Sequence, residues 1–227
     1  MTSIAENISR VREQIGKAAR DYGRPAASIS MLAVSKTQSA EQVREAYAAG
    51  QRDFGENYLQ EALGKIHALP LPGLCWHFIG PIQSNKTREI AEHFDWVHSI
   101  ERVKIAQRLS AQRPPERGPL NVCIQINISE ETSKSGVTLA EALPLCAAIE
   151  GLENIRLRGL MAIPAPCDDP QQQRLAFRPL GQLFQHLTTL YPQMDTLSIG
   201  MSADYEAAIA EGSTLLRIGS AIFGERT

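Results

Sequence analysis

The sequence predicts an α/β fold: a single (β/α)8 TIM barrel over residues 1–227, with an extra helix before the first strand. Two observations predict it. Apolar runs of strand length alternate with amphipathic helical segments along the chain, which favours a parallel sheet. About eight such pairs fit into the 227 residues, and eight parallel strands with intervening helices close into a barrel. The alternative is an open, doubly wound sheet with fewer strands.

The N-terminal part contains the extra helix and the first two strand–helix pairs. A capping box at Ser3, followed by apolar residues at helical spacing, predicts a helix over 3–22. The apolar run 31–34 predicts the first strand, which ends at Lys36. The next elements are a helix that starts at a second capping box and stops at Gly50, a strand at 51–54, and a helix with the stripe Leu59, Leu63 and Ile66.

The central part continues the alternation. Turn residues and short apolar runs predict strands at 75–79, 94–97, 120–128 and 155–163. A polar helix near 84–92 and a helix with Glu101 in its first turn separate the earlier strands. A third capping box, at Thr138, starts a helix whose predicted apolar face is Leu139, Leu143, Cys146 and Ile149.

The C-terminal part completes the eight pairs. Strands are predicted at 196–199 and 214–218, separated by a short helix that begins at Ser202. A long helix precedes them, and Pro179 leaves its starting point open. Its predicted apolar stripe is Leu180, Leu183, Leu187 and Leu190.

Composition and charge exclude several classes of protein. With 43% hydrophobic and 21% charged residues and a net charge of −2, the chain has no overall basic field for nucleic acid or anionic membranes. Neither a signal peptide nor a membrane-spanning run is recognisable, so we expect a cytosolic protein. The four cysteines form no C-x-x-C pair and the five histidines are scattered, which predicts neither disulfides nor a metal site.

Lys36 is unusual because it stands where a buried strand runs out. Burying an amine is costly, so such a lysine ordinarily extends to solvent. The alternative is that partial desolvation makes a neutral amine available to form a Schiff base with a carbonyl compound. The barrel favours the second interpretation, because active sites of TIM barrels lie at the C-terminal ends of the strands.

The loops after the last two strands suit a phosphate group, which barrels of this kind commonly hold at these two positions. After the seventh strand, Ser198, Gly200, Met201 and Ser202 offer hydroxyls, a flexible turn and a predicted helix start. After the eighth, Gly219 and Ser220 are again small and rich in donors. Each run alone is typical of any turn, and the pair at both expected positions indicates a phosphate site.

A Schiff-base lysine beside a phosphate site matches two chemistries: a class I aldolase acting on a sugar phosphate, or a protein that holds pyridoxal 5′-phosphate (PLP). Arg217 bears on the choice. A guanidinium next to the pyridine nitrogen would keep that nitrogen unprotonated and weaken the ring as an electron sink. The alternative for Arg217 is a salt bridge at the strand end.

Six segments carry a specific combined pattern: Ala33-Val34-Ser35-Lys36-Thr37, Phe54-Gly55-Glu56-Asn57-Tyr58, Trp76-His77-Phe78-Ile79-Gly80-x-x-Gln83-x-Asn85-Lys86, Gly159-Leu160-Met161, Ser198-Ile199-Gly200-Met201-Ser202 and Arg217-Ile218-Gly219-Ser220-Ala221-Ile222-Phe223-Gly224. Their combination closely resembles the YggS/PROSC family of pyridoxal phosphate homeostasis proteins. The resemblance implies a fold-type III barrel like the N-terminal domain of alanine racemase, with PLP bound as an aldimine to Lys36.

Carried over by position, the resemblance implies roles for individual residues. Arg217 would lie near the pyridine nitrogen, and Asn57, His77 and Met161 would be pocket residues, although His77 is equally well explained as a core histidine. The phosphate would be held by Ser202, Gly219 and Ser220, with backbone from Gly200 and Met201.

A second lysine is a further expectation, because relatives are thought to pass the cofactor through one. Lys134 and Lys86 are the candidates in this chain. Some relatives have a lysine two positions beyond the Schiff-base residue, where this sequence has Gln38. A relay that relies on that lysine is therefore in doubt here.

The function that the resemblance implies is PLP binding and the balance of free PLP and amino-acid pools, without an enzymatic activity of its own. We expect a monomer that takes up PLP reversibly and passes it to PLP-dependent apo-enzymes. The competing hypotheses are a weak racemase or transaminase that uses Lys36, a Schiff-base aldolase, and a purely structural barrel. Racemisation by two bases would need an acid opposite Lys36, which in racemases comes from additional parts.

Overall fold

The computed structural model of the chain describes residues 2–129 and 135–224. Eight strands, all parallel, close into a barrel in chain order, with the eighth strand paired to the first. This arrangement confirms the predicted (β/α)8 barrel. The strands are β1 (Ser30–Val34), β2 (Asp53–Glu56), β3 (Cys75–Phe78), β4 (Trp96–Ile100), β5 (Leu120–Ile126), β6 (Ile155–Ala162), β7 (Thr196–Ser198) and β8 (Leu215–Ile218).

The helices surround the barrel, and one of them precedes β1, as predicted. Short 3-10 turns at Ala26–Ser28, Ser84–Lys86 and Pro115–Arg117 supplement them. No helix in the described residues is long and apolar enough to cross a membrane. The helices are α1 (Ile4–Asp21), α2 (Ala40–Ala48), α3 (Leu59–Ala68), α4 (Thr87–His93), α5 (Val103–Gln112), α6 (Leu139–Glu150), α7 (Pro170–Leu190), α8 (Tyr205–Ala210) and α9 (Ser220–Phe223).

Local sequence explains where the best-defined helices begin. The helices α1, α2 and α6 each begin with a capping box, at Ser3, Ser39 and Thr138. In each box the hydroxyl of the capping residue accepts from the N–H of the third helical residue, and the side chain of that third residue accepts from the N–H of the capping residue. Each box satisfies two backbone donors that a helix end otherwise leaves unpaired. Many strand residues are buried and apolar, as in covered parallel sheets, and Leu32 and Ala33 of β1 are fully buried.

Two predicted boundaries in the middle of the chain are wrong. The fourth strand runs over Trp96–Ile100 and not from Phe94, because the Phe94 N–H donates to Ile90 O (3.1 Å) and ends α4. Glu101 is not in the first turn of α5, which begins at Val103. It lies in the connection before the helix, where its Oε2 accepts from the Gly136 N–H (3.3 Å).

Two predicted helix faces are partly wrong. In α6 the buried residues are Ala142, Leu145, Cys146 and Ile149, and Leu143 is exposed. The helix is rotated so that its small alanine faces the barrel. In α7 Leu180 and Leu187 are buried, Leu183 is half-buried and the terminal Leu190 is exposed. Pro179 lies inside this helix and not at its start.

The short helix after β7 also begins later than predicted. It starts at Tyr205, and Ser202 lies in a turn that precedes it. Asp204 closes that turn, because its Oδ1 accepts from the Met201 N–H (2.6 Å) and its N–H donates to Met201 O (3.2 Å). A carboxylate that bonds backbone in this way favours a turn over a helix start.

Candidate functional site

A cavity of about 460 Å³ opens at the C-terminal end of the barrel. Its volume lies in the range of about 300–1,000 Å³ that small-molecule sites occupy. Some of the residues around it follow the ends of β2, β3, β6 and β7, and the others lie at the end of β1 or β8 or in the segments after these two strands. The residues around the cavity are Val34, Lys36, Gln38, Asn57, Ile79, Ile163, Met201, Ser202, Ala203, Arg217, Gly219, Ser220 and Gly224.

Lys36 lines this cavity two residues beyond β1, and its loop is fixed through Ser35. The Ser35 N–H donates to Gly55 O (3.0 Å), and the Ser35 hydroxyl donates to Glu56 Oε1 (2.6 Å). Lys65 Nζ donates to Ser35 O (2.6 Å) from the opposite side. The residue before the candidate amine is therefore held by three hydrogen bonds to β2 and α3.

A buried ion pair supports the same loop. Lys65 Nζ lies 2.8 Å from Glu56 Oε1 and 2.6 Å from Glu61 Oε1, with Glu56 fully buried and Lys65 only 5% exposed. Burial raises the pKa of Glu56, against the opposing effect of Lys65. Glu61 also accepts from the Thr37 N–H (2.6 Å), and Thr37 has a φ of 66°, which a β-branched residue rarely adopts. The bend that follows Lys36 is thus held by tertiary contacts.

Arg217 is the second ionisable residue on the cavity. It is 4% exposed, and its guanidinium donates to Ala162 O (2.9 Å), to Ser198 Oγ (3.0 Å) and to the Ser198 carbonyl. Burial lowers the pKa of Arg217 to about 10, so the side chain stays charged at neutral pH. The structure shows no salt bridge to Arg217 among the described residues. The alternative interpretation, in which Arg217 forms a salt bridge at the strand end, is therefore not supported.

The turns after β7 and β8 meet at the cavity, as the sequence predicts. Gly200 has a φ of 94°, and a Cβ there would lie 2.6 Å from the Ala208 Cβ, so the turn requires glycine. Met201 and Ser202 line the cavity from this turn, although the Met201 N–H already bonds Asp204. After β8, Gly219 and Ser220 line the cavity where α9 begins, and the first N–H groups of a helix have no partner within it.

Asn57 enters the cavity from the end of β2. A Cβ on Gly80 would lie 2.2 Å from Asn57 O, so the absence of a side chain at Gly80 lets the two strand ends approach. The Asn57 Oδ1 atom is buried without a hydrogen-bond partner in the described structure. Buried amide oxygens are normally paired, so this one is suited to accept from a ligand.

Four predicted site residues do not line the cavity, and one of them, Gly200, forms the turn just before Met201. Ser198 is fully buried behind Arg217 and contacts its guanidinium, and Met161 is fully buried on β6, paired in register with Ser198. His77 is 1% exposed inside the barrel, where its ring nitrogens meet His98 and Asp53. This position is that of a core histidine satisfied by side chains.

Of the two candidate second lysines, Lys86 does not line the cavity. Lys86 ends the 3-10 turn Ser84–Lys86 and lies 3.8 Å from Glu89 in a partly exposed ion pair. Lys134 lies outside the described residues. Its role as a second lysine stays a prediction.

One group of side chains at the opposite, N-terminal end of the barrel has the spacing of metal ligands. Asp53, Cys75 and His77 each offer one donor atom, and these atoms lie within 4.8 Å of one another. Hydrogen bonds account for their closeness: His77 Nε2 lies 3.2 Å from Asp53 Oδ1 and 3.3 Å from Cys75 Sγ. Cys75 and His77 lie two residues apart on β3, but Asp53 belongs to β2, so the sequence alone does not indicate the cluster.

Several cavity and support residues were not identified from the sequence. Ile79 and Ile163 each follow a strand directly, so strand boundaries would have indicated them. The Glu61–Lys65 pair has the i, i+4 spacing of an ordinary surface pair on a helix, which conceals its buried role.

Comparison with known proteins agrees with this geometry. Residues 2–227 match the family model described as alanine racemase, N-terminal domain. The pyridoxal phosphate homeostasis protein of Pseudomonas aeruginosa is 58% identical over 226 residues, which span 100% of this chain and 97% of that protein. The protein of the same name from Escherichia coli K12 is 56% identical over 229 residues, which span 100% of this chain and 98% of that protein.

A solved structure extends the comparison. PipY from Synechococcus elongatus PCC7942, solved with PLP bound, is 35% identical and superposes with a TM-score of 0.84 over 98% of this chain and 100% of that chain. The family expected from the sequence motifs is therefore confirmed. The chain belongs to the alanine racemase N-terminal-domain family and, within it, to the pyridoxal phosphate homeostasis proteins.

Proposed function

We propose that this protein binds PLP reversibly in the cavity at the C-terminal end of the barrel and takes part in PLP and amino-acid homeostasis. The observation that carries the proposal is the placement of the Lys36 amine, the Arg217 guanidinium and two small-residue turns around one cavity. The PLP-bound structure of PipY, and the name shared by the P. aeruginosa and E. coli relatives, support it.

The residues around the cavity fit the functional groups of PLP. When bound, PLP supplies an aldehyde that forms a Schiff base with an amine, and Lys36 is the amine on the cavity. Arg217 offers N–H donors to the pyridine nitrogen. Ser202, Gly219 and Ser220 offer hydroxyl and backbone donors to the phosphate, and the unpaired Asn57 Oδ1 accepts a hydrogen bond from the ligand.

The same cavity supports a role in holding PLP and not in turning over amino acids. Among its described residues, Lys36 and Arg217 are the ionisable side chains, and a guanidinium does not accept a proton. Racemisation by two bases needs an acid or base at a second position, opposite Lys36. We propose that the protein acts as a monomer. PLP-dependent apo-enzymes are the recipients we propose.

An absorption titration tests the proposal. Purified protein mixed with PLP is expected to develop the visible band of a protonated Schiff base, which borohydride bleaches. Lys36→Ala should lack the band, whereas Lys104→Ala, a substitution on α5 away from the cavity, should keep it. A wild-type protein that shows no band and no change in PLP fluorescence would refute PLP binding.

A second assay separates binding from catalysis. The PLP-loaded protein is incubated with single enantiomers of alanine and serine, and the enantiomers are resolved by chromatography. We expect no turnover above free PLP. Turnover that disappears in Lys36→Ala would support the racemase or transaminase hypothesis.

A further inference from the structure

A row of hydrogen-bonded side chains crosses the barrel interior from its N-terminal end to the cavity. Asp53 Oδ1 lies 3.2 Å from His77 Nε2, His77 Nδ1 lies 2.9 Å from His98 Nε2, and His98 Nδ1 lies 3.0 Å from Ser198 Oγ. Arg217 Nη1 completes the row, 3.0 Å from the same Ser198 oxygen. These residues belong to five different strands, so only the closed barrel brings them together.

The two ends of this row differ in what they can do. A guanidinium has only donors, so Arg217 donates to Ser198 Oγ. An ionised carboxylate has only acceptors, and the hydrogen bond from His77 holds the pKa of Asp53 below its usual value, although burial acts in the opposite direction. The Asp53 side chain is 41% exposed, so this end of the row meets solvent.

Fixed ends determine the direction of every bond between them. Ser198 accepts from Arg217, so its own proton turns to His98 Nδ1, the acceptor it meets in the described structure. His98 Nε2–H then donates to His77 Nδ1, and His77 Nε2–H donates to Asp53. Both rings carry their proton on Nε2 and are neutral. In the reverse direction the Ser198 oxygen would accept from both His98 and Arg217, and its own buried proton would have no acceptor in the described structure.

The surroundings agree with neutral rings. Burial, the largest cause, and the charge of Arg217 lower the pKa of His98 well below its ordinary value. Trp96 stacks on His77 with ring planes 5° apart, which fixes the orientation of that ring. Cys75, the other titratable group that faces His77, is kept as a thiol because burial raises its pKa.

We propose that Asp53, His77, His98 and Ser198 form a directional hydrogen-bond chain that positions Arg217 in the cavity and links the carboxylate at the far end of the barrel to the pyridine side of the cofactor. The four residues are positioning residues, because none of them lines the cavity and they act on it only through Arg217. The expected effect on PLP rests on the proposed function. The tautomers of His77 and His98 follow from the hydrogen-bond chain alone.

The direct test is the tautomer of each ring in the unaltered protein. Long-range ¹H–¹⁵N NMR distinguishes protonated from bare imidazole nitrogens, and His77→Gln and His98→Gln assign the two signals. We expect both rings to show a bare Nδ1 and a protonated Nε2 at neutral pH. Protonated Nδ1 on either ring, or a doubly protonated ring, would overturn the proposal whether or not PLP binds.

Changes at Asp53 test the effect on the cofactor from a distance. Asp53→Leu removes the last acceptor, and we expect PLP affinity to fall about five- to tenfold, with a shift of the PLP absorption band. Asp53→Asn keeps an acceptor oxygen, so we expect its PLP affinity and its PLP absorption band to match those of the unaltered protein. Asp195→Leu, a control at the same end of the barrel but off the chain, should leave the band unshifted. An unshifted band in Asp53→Leu that retains the fold would overturn the link to the cavity.

Discussion

Replacing Lys65 by methionine removes the cation from the buried network that holds the loop of Lys36. Glu56, which is fully buried, would then lack its ion-pair partner, and Ser35 O would lose a donor 2.6 Å away. Removing one partner of a buried pair costs about 3–5 kcal/mol, because the other charge stays buried without compensation. We therefore expect Lys65→Met to lower the free energy of unfolding by about that amount.

The assay is urea denaturation of the PLP-free protein, with two matched variants. Arg44→Met breaks the exposed Arg44–Glu41 pair, whose side chains are 50% and 72% exposed, and should cost less than about 1 kcal/mol. Adding Glu56→Gln to Lys65→Met removes the stranded charge and should recover part of the loss. A Lys65→Met cost no larger than that of Arg44→Met, or a further loss in the double variant, would refute the reasoning.

The same variant has a predicted pH dependence. Burial raises the pKa of Glu56, and loss of Lys65 removes the main opposing influence, so the folded pKa rises further. A carboxyl with a raised folded pKa binds its proton more tightly in the folded state, so stability falls as pH rises from the unfolded towards the folded pKa. The cost of Lys65→Met should therefore be smaller at about pH 5 than at about pH 8.

The remaining predictions concern the cavity turn and a distant structural arginine. Gly200→Ala should lower the free energy of unfolding by about 2 kcal/mol or more, because φ is 94° and the new Cβ would lie 2.6 Å from that of Ala208. Gly151→Ala, where φ is −78° and no atom lies within 4 Å of the new Cβ, should change it by less than about 1 kcal/mol in thermal unfolding. Arg113 donates to four backbone carbonyls at the other end of the barrel, so Arg113→Met should lower the melting temperature and leave PLP affinity unchanged, as measured by fluorescence titration.

The barrel and the location of the cavity could be predicted from the sequence because both depend on local patterns. Alternating strand and helix signals predict a parallel barrel, and parallel strands place their C-terminal ends together. Lys36, Asn57, Ser202 and Gly219 therefore reach one cavity simply because each follows a strand. The capping boxes gave correct helix starts for the same reason, since all their bonds are within three residues.

The features that the sequence did not predict have two physical causes: a local side-chain turn, and side-chain bonding across large sequence distances. The start of α8 moved because Asp204 bonds Met201 in a turn, which a Ser N-cap pattern does not reveal. His77 belongs to the barrel interior because His98, 21 residues away, and Asp53, 24 residues away, satisfy its nitrogens. The pattern around His77 is compatible with a pocket or a core position, and only the assembled barrel distinguishes them.

Lys36 is the residue that we propose binds PLP covalently. Borohydride reduction of the PLP-loaded protein, followed by proteolysis and mass spectrometry, locates the reduced adduct on one lysine. We predict that the adduct lies on the peptide that contains Lys36 and that Lys36→Arg abolishes it at stoichiometric PLP. An adduct found mainly on Lys65, Lys86 or another lysine, with Lys36 unmodified, would contradict the claim.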